Sequence, residues 1–255
     1  MEPSVRTTLR GHALVIELHR PAARNALNLE SLTALRDTLA EVDPERVAGV
    51  VLTGSDPAFC AGLDLNELAA DPAAFGGFEV PRWLREVPVP VVAAVNGPAV
   101  TGGLELALAC DLRFASTEAW FADTHALVGV VPGWGLTAAL PALVGVARAT
   151  ELSLSGRYVD GKEAVRIGLA ERVVAHQELI DVACAYVEQV AVTDPATRAT
   201  ILELYRSGRD AARSGALAAE AVRSDRWFEL PPDEHISDRA AAVRSHGRNE
   251  LGRGG

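Results

Sequence analysis

A chain of 255 residues, 49% hydrophobic and 23% charged, can bury a large core as one large domain or two small ones; this excludes disordered, collagenous and disulfide-scaffold proteins. Acidic residues outnumber basic ones by 34 to 24, a formal charge of −10, which argues against a nucleic-acid-binding surface. Lys162 is the only lysine, so a G-K-[ST] phosphate loop is absent and a Schiff-base lysine has a single candidate.

The N-terminus, MEPSVRTTLRGHALVIEL, carries no basic head followed by an apolar stretch and a small-residue cleavage site. A cytoplasmic location is therefore expected. Val5 to Leu9 and Ala13 to Leu18 read as two extended runs joined at Arg10-Gly11-His12, a hairpin signal. Asn28 caps a predicted helix from Leu29 to Val42, whose Leu32, Leu35, Leu39 and Val42 share a face. Val47 to Leu52 and Val91 to Val95 are short valine-rich runs that read as buried strands.

A similar phrase follows each of these strands: Ala61-Gly62-Leu63-Asp64-Leu65 after the first and Gly102-Gly103-Leu104-Glu105-Leu106 after the second. Each places glycine at a strand-to-helix turn and an acid in the first helical turn. Glycine lets backbone approach a bound group, and the free N–H groups of a new helix point outward. An acid in the first turn is favoured by the helix dipole alone, by ~0.3–1 kcal/mol, so neither phrase singly specifies a site. Two such turns converging on one oxygen would.

Further along, Leu112 to Ala115 and Arg172 to Val174 read as strands, and Leu136 to Val144 and Ala147 to Leu154 as helices. Ala126 to Ala147 is 22 residues without a charge, but Pro132, Pro141 and four glycines mark it as loops and short buried elements rather than a membrane span. From Gln177 onward the pattern is helical, punctuated by Asp194-Pro195 and Pro231-Pro232, and it closes on a Gly-Arg-Gly-Gly tail expected to be mobile. Cys60, Cys110 and Cys184 form no C-x-x-C pair, so neither a zinc site nor a disulfide framework is expected and a reducing compartment fits. G-x-S-x-G and H-E-x-x-H are absent, as is G-x-G-x-x-G after the first strand. His12, His19, His176, His235 and His246 sit in turns or polar surroundings and read as surface residues. His125 instead enters the uncharged stretch.

Arg20-Pro-Ala-Ala-Arg-Asn-Ala-Leu27, Phe59-Cys-Ala-Gly-Leu-Asp-Leu65 and Asn96-Gly-Pro-Ala-Val-Thr-Gly-Gly-Leu-Glu-Leu106 resemble, in order and spacing, successive signatures of the enoyl-CoA hydratase/isomerase (crotonase) superfamily. The resemblance runs from about Val5 to about Val192, through Gly129-Val-Val-Pro-Gly133, Leu152-Ser-Leu-Ser-Gly156 and Ala164 to Val173. It implies an α/β fold, a spiral of ββα units over residues 1–192, with a helical trimerisation region over 193–255 that assembles homotrimers or hexamers. It implies stabilisation of a thioester enolate, with a coenzyme A thioester as substrate and no further cofactor or metal. By motif position the N–H groups of Leu63 and Gly102 form the oxyanion hole. Main chain near Arg24, Ala26, Ala61 and Asp64 holds the coenzyme A moiety, with Gly103 in the second turn.

Hydration in this family uses two glutamates around one water. Glu105 falls on the first position and His125 on the second, the principal departure from the pattern. Imidazole can accept a proton and imidazolium can donate one, so three outcomes stand open. His125 replaces the glutamate and hydration persists; Glu105 works alone, which suits double-bond isomerisation; or the protein is an acyl-CoA-binding protein without turnover or a much altered lyase that retains the oxyanion hole. Asp123 would share a face with His125 and orient it if the segment is extended. Gly133 takes the position of a dehalogenase-type aspartate, which leaves that nucleophile unsupported, and Trp134 beside it reads as a pocket wall. Pro132-Gly-Trp-Gly-Leu136 departs from the usual P-G-x-G-G phrase, which suggests a reshaped acyl pocket. Ser237 to Gly247 only loosely resembles the family's closing helix.

Overall fold

The computed structural model describes residues 2–228 and 235–252. The hairpin forms as expected: β1 (Val5–Arg10) pairs antiparallel with β2 (Ala13–Leu18) around Gly11. In α1 (Leu29–Ala40) the Asn28 side chain accepts from Ser31 N–H. This helix stops two residues short of Val42, which is nonetheless buried.

Next come β3 (Gly49–Gly54), α2 (Leu65–Ala70), α3 (Val80–Glu86), β4 (Val91–Val95), β5 (Pro98–Val100) and α4 (Gly102–Ala109). After them stand β6 (Leu112–Ser116), β7 (Trp120–Ala122), α5 (His125–Val128), α6 (Leu136–Val144) and α7 (Val146–Ser155). The chain closes with β8 (Val159–Asp160), α8 (Gly161–Arg166), β9 (Arg172–Val174), α9 (Leu179–Ala191), α10 (Pro195–Phe228) and α11 (His235–Gly252).

Six strands form one sheet in the order β1-β2-β3-β4-β6-β9, parallel from β2 onward, and β5-β7-β8 form a second. Every residue of β3 and β4 is buried, as expected of parallel strands covered on both faces. One face of the large sheet packs on α9 through Leu179, Ala183, Cys184 and Val187. The other buries the main core, including Leu32, Leu35, Leu84 and Leu104.

Units repeat along the chain. In two of them a strand of the large sheet is followed by a strand of the small sheet and then a helix: β4-β5-α4 and β6-β7-α5. The unit β3-α2 has only a single bridge, Cys60 with Ala99, in place of its second strand. The two glycine-acid phrases therefore occupy equivalent positions in neighbouring units. The small sheet was not foreseen in the sequence, because β5, β7 and β8 are two or three residues long and offer no period to read.

Among the described residues no helix is long and apolar enough to cross a membrane; Ala126 to Ala147 holds a loop, the whole of α6 and parts of α5 and α7. The three cysteines are free and buried, and no cluster of described residues could hold a metal. Pro231-Pro232 and the tail from Arg253 lie outside the described residues. Arg206 pins α10 to the core: it donates to the carbonyls of Arg85 (2.9 Å), Val87 (2.7 Å) and Val89 (3.2 Å) and pairs with Asp111 at 2.5 Å.

Candidate functional site

The chain from Cys60 to Leu63 runs beside Pro98 to Gly102. Cys60 N–H donates to Pro98 O and Val100 N–H to Cys60 O. On its other side Leu27 N–H donates to Gly62 O, and Asp64 N–H to Leu27 O. In such a parallel bridge the residue between the two bonds turns its own amide the opposite way, so Leu63 N–H points away from Leu27. Gly102 opens α4 and carries one of the unpaired donors of a helix start. Among the described residues neither Leu63 N–H nor Gly102 N–H donates to any protein acceptor, and both residues line one cavity of about 800 Å³. A Cβ built on Gly102 would stand 3.5 Å from Leu63 N, so the two turns are in contact.

Thr101, between β5 and α4, has φ +54 and ψ −114, a conformation costing a non-glycine residue ~1–3 kcal/mol. Its hydroxyl pairs with that of Thr124 at 2.5 Å, which ties this turn to the start of α5. Gly103 faces inward: an added Cβ would lie 2.0 Å from the Cys60 carbonyl oxygen. Gly103→Ala is expected to cost more than the ~1–3 kcal/mol of ordinary overpacking, because the obstacle is backbone. Gly102→Ala, whose nearest neighbour would be Trp134 at 3.4 Å, should fold normally while placing a methyl beside Leu63 N–H. Denaturant melts of the two variants test the contrast.

Glu105, in the first turn of α4, and His125, the first residue of α5, are both buried and face one another, Glu105 Oε2 lying 3.4 Å from His125 Nε2. Glu105 Oε1 accepts the N–H of Trp134 at 2.8 Å. Asp123 Oδ1 accepts from His125 Nδ1 at 2.6 Å and from His125 N–H at 3.1 Å. Asp123 thus orients the imidazole, though through a tight turn at the helix start and not along an extended strand. Burial opposes charge on His125, but the hydrogen bonds and charges of Asp123 and Glu105 outweigh it and push its pKa up to about 9. Burial likewise works against ionised Asp123, and its bond to His125 prevails and lowers its pKa.

A pKa raised above the ~6.5 of a free imidazole means that His125 adds stability in full below that value and loses it as pH rises through about 9. Thermal melts should show His125→Gln destabilised near neutrality and converging with the unaltered protein on the alkaline side of pH 9.

Of the other residues singled out in the sequence, Ala61, Gly133 and Trp134 line the cavity. Arg24, Ala26, Asp64 and Gly103 are not in its lining. Arg24 O accepts from Ala61 N–H, Ala26 O from the Arg20 guanidinium at 2.5 Å, and Asp64 pairs with Arg20 at 3.0 Å. Asp64 stands at the N-cap of α2, accepting from Asn66 N–H, not inside its first turn. His19, His176 and His246 are half-buried rather than free surface groups, bound respectively to Ser55 Oγ (2.6 Å), Asn96 O (3.1 Å) and Gly156 O (2.9 Å).

Sequence reasoning missed Glu220. It comes from the middle of α10, is 6% exposed, and lines the cavity with Leu217 and Ser224. The signal was an acid on a stripe of helical spacing, Leu217, Glu220, Ser224 and Trp227, within an otherwise polar helix. Burial, aided by the nearby charge of Glu105, raises the pKa of its carboxyl group. The arrangement as a whole supplies two unpaired backbone donors, a carboxylate and a charged imidazole around one cavity, which suits polarising a carbonyl and moving protons next to it.

Residues 10–229 match the family described as Enoyl-CoA hydratase/isomerase. The chain is 34% identical over 219 residues to the short-chain-enoyl-CoA hydratase of Clostridium acetobutylicum, covering 83% of this chain and 84% of that one. The crystal structure of an enoyl-CoA hydratase from Mycobacterium smegmatis superposes with a TM-score of 0.81 at 38% identity, over 89% of this chain and 99% of the other. A monofunctional enoyl CoA isomerase from M. smegmatis superposes with a TM-score of 0.70 at 31% identity, over 82% and 94% of the two chains.

Proposed function

Because this chain belongs to the enoyl-CoA hydratase/isomerase (crotonase) superfamily and has its two-sheet α/β fold with a long helical C-terminal region, we propose that it adds water to 2-enoyl-CoA thioesters, with Glu105 as base and His125 as acid. The observation that carries this is the 3.4 Å approach of His125 Nε2 to Glu105 Oε2 beside the free amides of Leu63 and Gly102. Isomerisation needs one proton carrier; hydration uses two at once, one for hydroxide and one for carbon.

Glu105 removes a proton from water as the water oxygen bonds to C3. The double-bond electrons move onto the thioester oxygen, where the N–H groups of Leu63 and Gly102 receive the charge; one such donor is worth ~2.7–4 kcal/mol in the transition state. The His125 imidazolium gives its Nε2 proton to C2 and the carbonyl re-forms. The proton left on Glu105 then passes to neutral His125 across the 3.4 Å between them, restoring both groups. Asp123 holds the imidazole with Nε2 facing this space. Ala61, Gly133 and Trp134 wall the acyl and thioester region, and main chain near Arg24, Ala26, Ala61 and Asp64 holds the coenzyme A moiety, with Gly103 packed against Cys60 in the second turn.

The deciding experiment incubates the protein with a 2-enoyl-CoA in ¹⁸O-labelled water and follows loss of conjugated-thioester absorbance and product mass. A labelled 3-hydroxyacyl product is expected. Conjugation of a 3-enoyl-CoA without change of mass, and no labelled product, would assign isomerisation instead. Tight thioester binding with neither product would make this a binding protein. Self-association as a trimer or hexamer is also part of this proposal, supported by Ile201, Leu204 and Tyr205 exposed on α10; light scattering reads it directly.

A further inference from the structure

We propose that Glu220 is a positioning residue for Glu105, acting through the adjacent peptide N–H groups of Gly135 and Trp134. The proposal rests on the proton-transfer role given to Glu105 above. Trp134 N–H donates to Glu105 Oε1 at 2.8 Å and the next amide, Gly135 N–H, donates to Glu220 Oε1 at 2.5 Å. Glu220 Oε2 accepts from Thr137 N–H at 2.8 Å and from the Thr137 hydroxyl.

One carboxylate from α10 therefore grips both sides of the turn that enters α6. Gly135 has φ +90, so this turn is not set by ordinary side-chain preferences and needs an outside hold. Burying a carboxylate is costly unless it is fully hydrogen-bonded, and here both oxygens are occupied. The peptide planes carrying these two N–H groups meet at the Trp134 Cα and differ only by its φ and ψ, so holding Gly135 N–H narrows the directions open to Trp134 N–H and, through it, to the Glu105 carboxylate.

The test compares Glu220→Asp, Glu220→Gln and Thr137→Val by the NMR resonance of the Trp134 amide and by steady-state kinetics. Aspartate keeps the charge but falls short by about 1.5 Å, one carbon–carbon bond, so it cannot span Gly135 and Thr137. Glutamine keeps the length but presents an N–H₂ group to one of the donors. In both variants the Trp134 amide should shift in the sense seen for Glu105→Ala. In both, kcat should fall roughly ten- to hundred-fold, the range of a hydrogen bond to a charged group, with KM within about twofold. Thr137→Val should give the same pattern at smaller size, and it decides the matter if the Glu220 variants do not fold.

Lowered melting temperature with an unmoved Trp134 amide and unchanged kcat would reduce Glu220 to a helix cap and overturn the proposal. Behaviour of Glu220→Asp like the unaltered protein would show that only its charge matters, and would overturn it equally. Absence of hydration by the unaltered protein would sink the assigned reaction, while the Trp134 amide would still decide the role of Glu220.

Discussion

Replacing Glu105 by glutamine is expected to lower kcat for hydration by about 10²–10⁴-fold, the usual contribution of a positioned acid–base group, with the fold and thioester binding retained. Glutamine has the same shape, and its carbonyl oxygen can still accept Trp134 N–H, so the turn at Gly133 to Gly135 keeps its hold. The backbone amides of Leu63 and Gly102, the proposed oxyanion donors, are untouched, so KM should stay within about threefold, as uniform binding is preserved. What disappears is the group proposed to take the proton from water. Burial remains on His125 while one of the two carboxylates opposing it is gone, so its pKa falls from about 9. Calorimetry with a saturated acyl-CoA, alongside turnover of the 2-enoyl-CoA, separates binding from chemistry. Full turnover by this variant would remove Glu105 from the mechanism.

The parts of this site that could be read in the sequence are those built by local chain geometry. Gly102 and Glu105 lie within one strand–turn–helix segment, where glycine, a new helix and an acid in its first turn are visible at fixed spacing. Leu63 N–H is free for a less local reason, the bridge with Leu27, yet the Gly62 turn marked the place. Asp123 and His125 were legible as a pair but not in geometry. An Asp side chain two residues before an amide can meet it either across a strand or in a turn, and the short helix beginning at His125 selected the turn. The helical stripe marks Glu220 as a buried acid, but its partner was not legible, since it reaches Gly135 from 85 positions away. Its partners are backbone amides with no side-chain signature. Thr101 belongs to a legible motif, but nothing in its neighbours along the chain reveals its positive φ or its bond to Thr124.

Asp123→Asn should move the alkaline limit of activity further than any other single change in the site. Asparagine can still accept from His125 Nδ1–H and from the His125 amide, so the ring keeps its orientation and the variant should fold. The negative charge 2.6 Å from the imidazole is lost. Burial, which opposes the imidazolium, is then countered by Glu105 alone, and the pKa drops from about 9 toward or below the ~6.5 of a free histidine. If His125 supplies its proton to C2, kcat/KM for hydration must fall as that proton is lost. The basic limb of the profile should therefore shift downward by roughly one to two pH units or more, and at pH ~8 each unit below that pH leaves about tenfold less of the active form. Stability should move in the matching sense. The unaltered protein gains from charged His125 at low pH, whereas the variant must bury the cation with one carboxylate, so the gap between their melts should widen as pH falls from ~9 to ~6. An unchanged basic limb, in a variant whose ring titration measured by NMR has moved, would show that the proton reaching C2 does not come from His125.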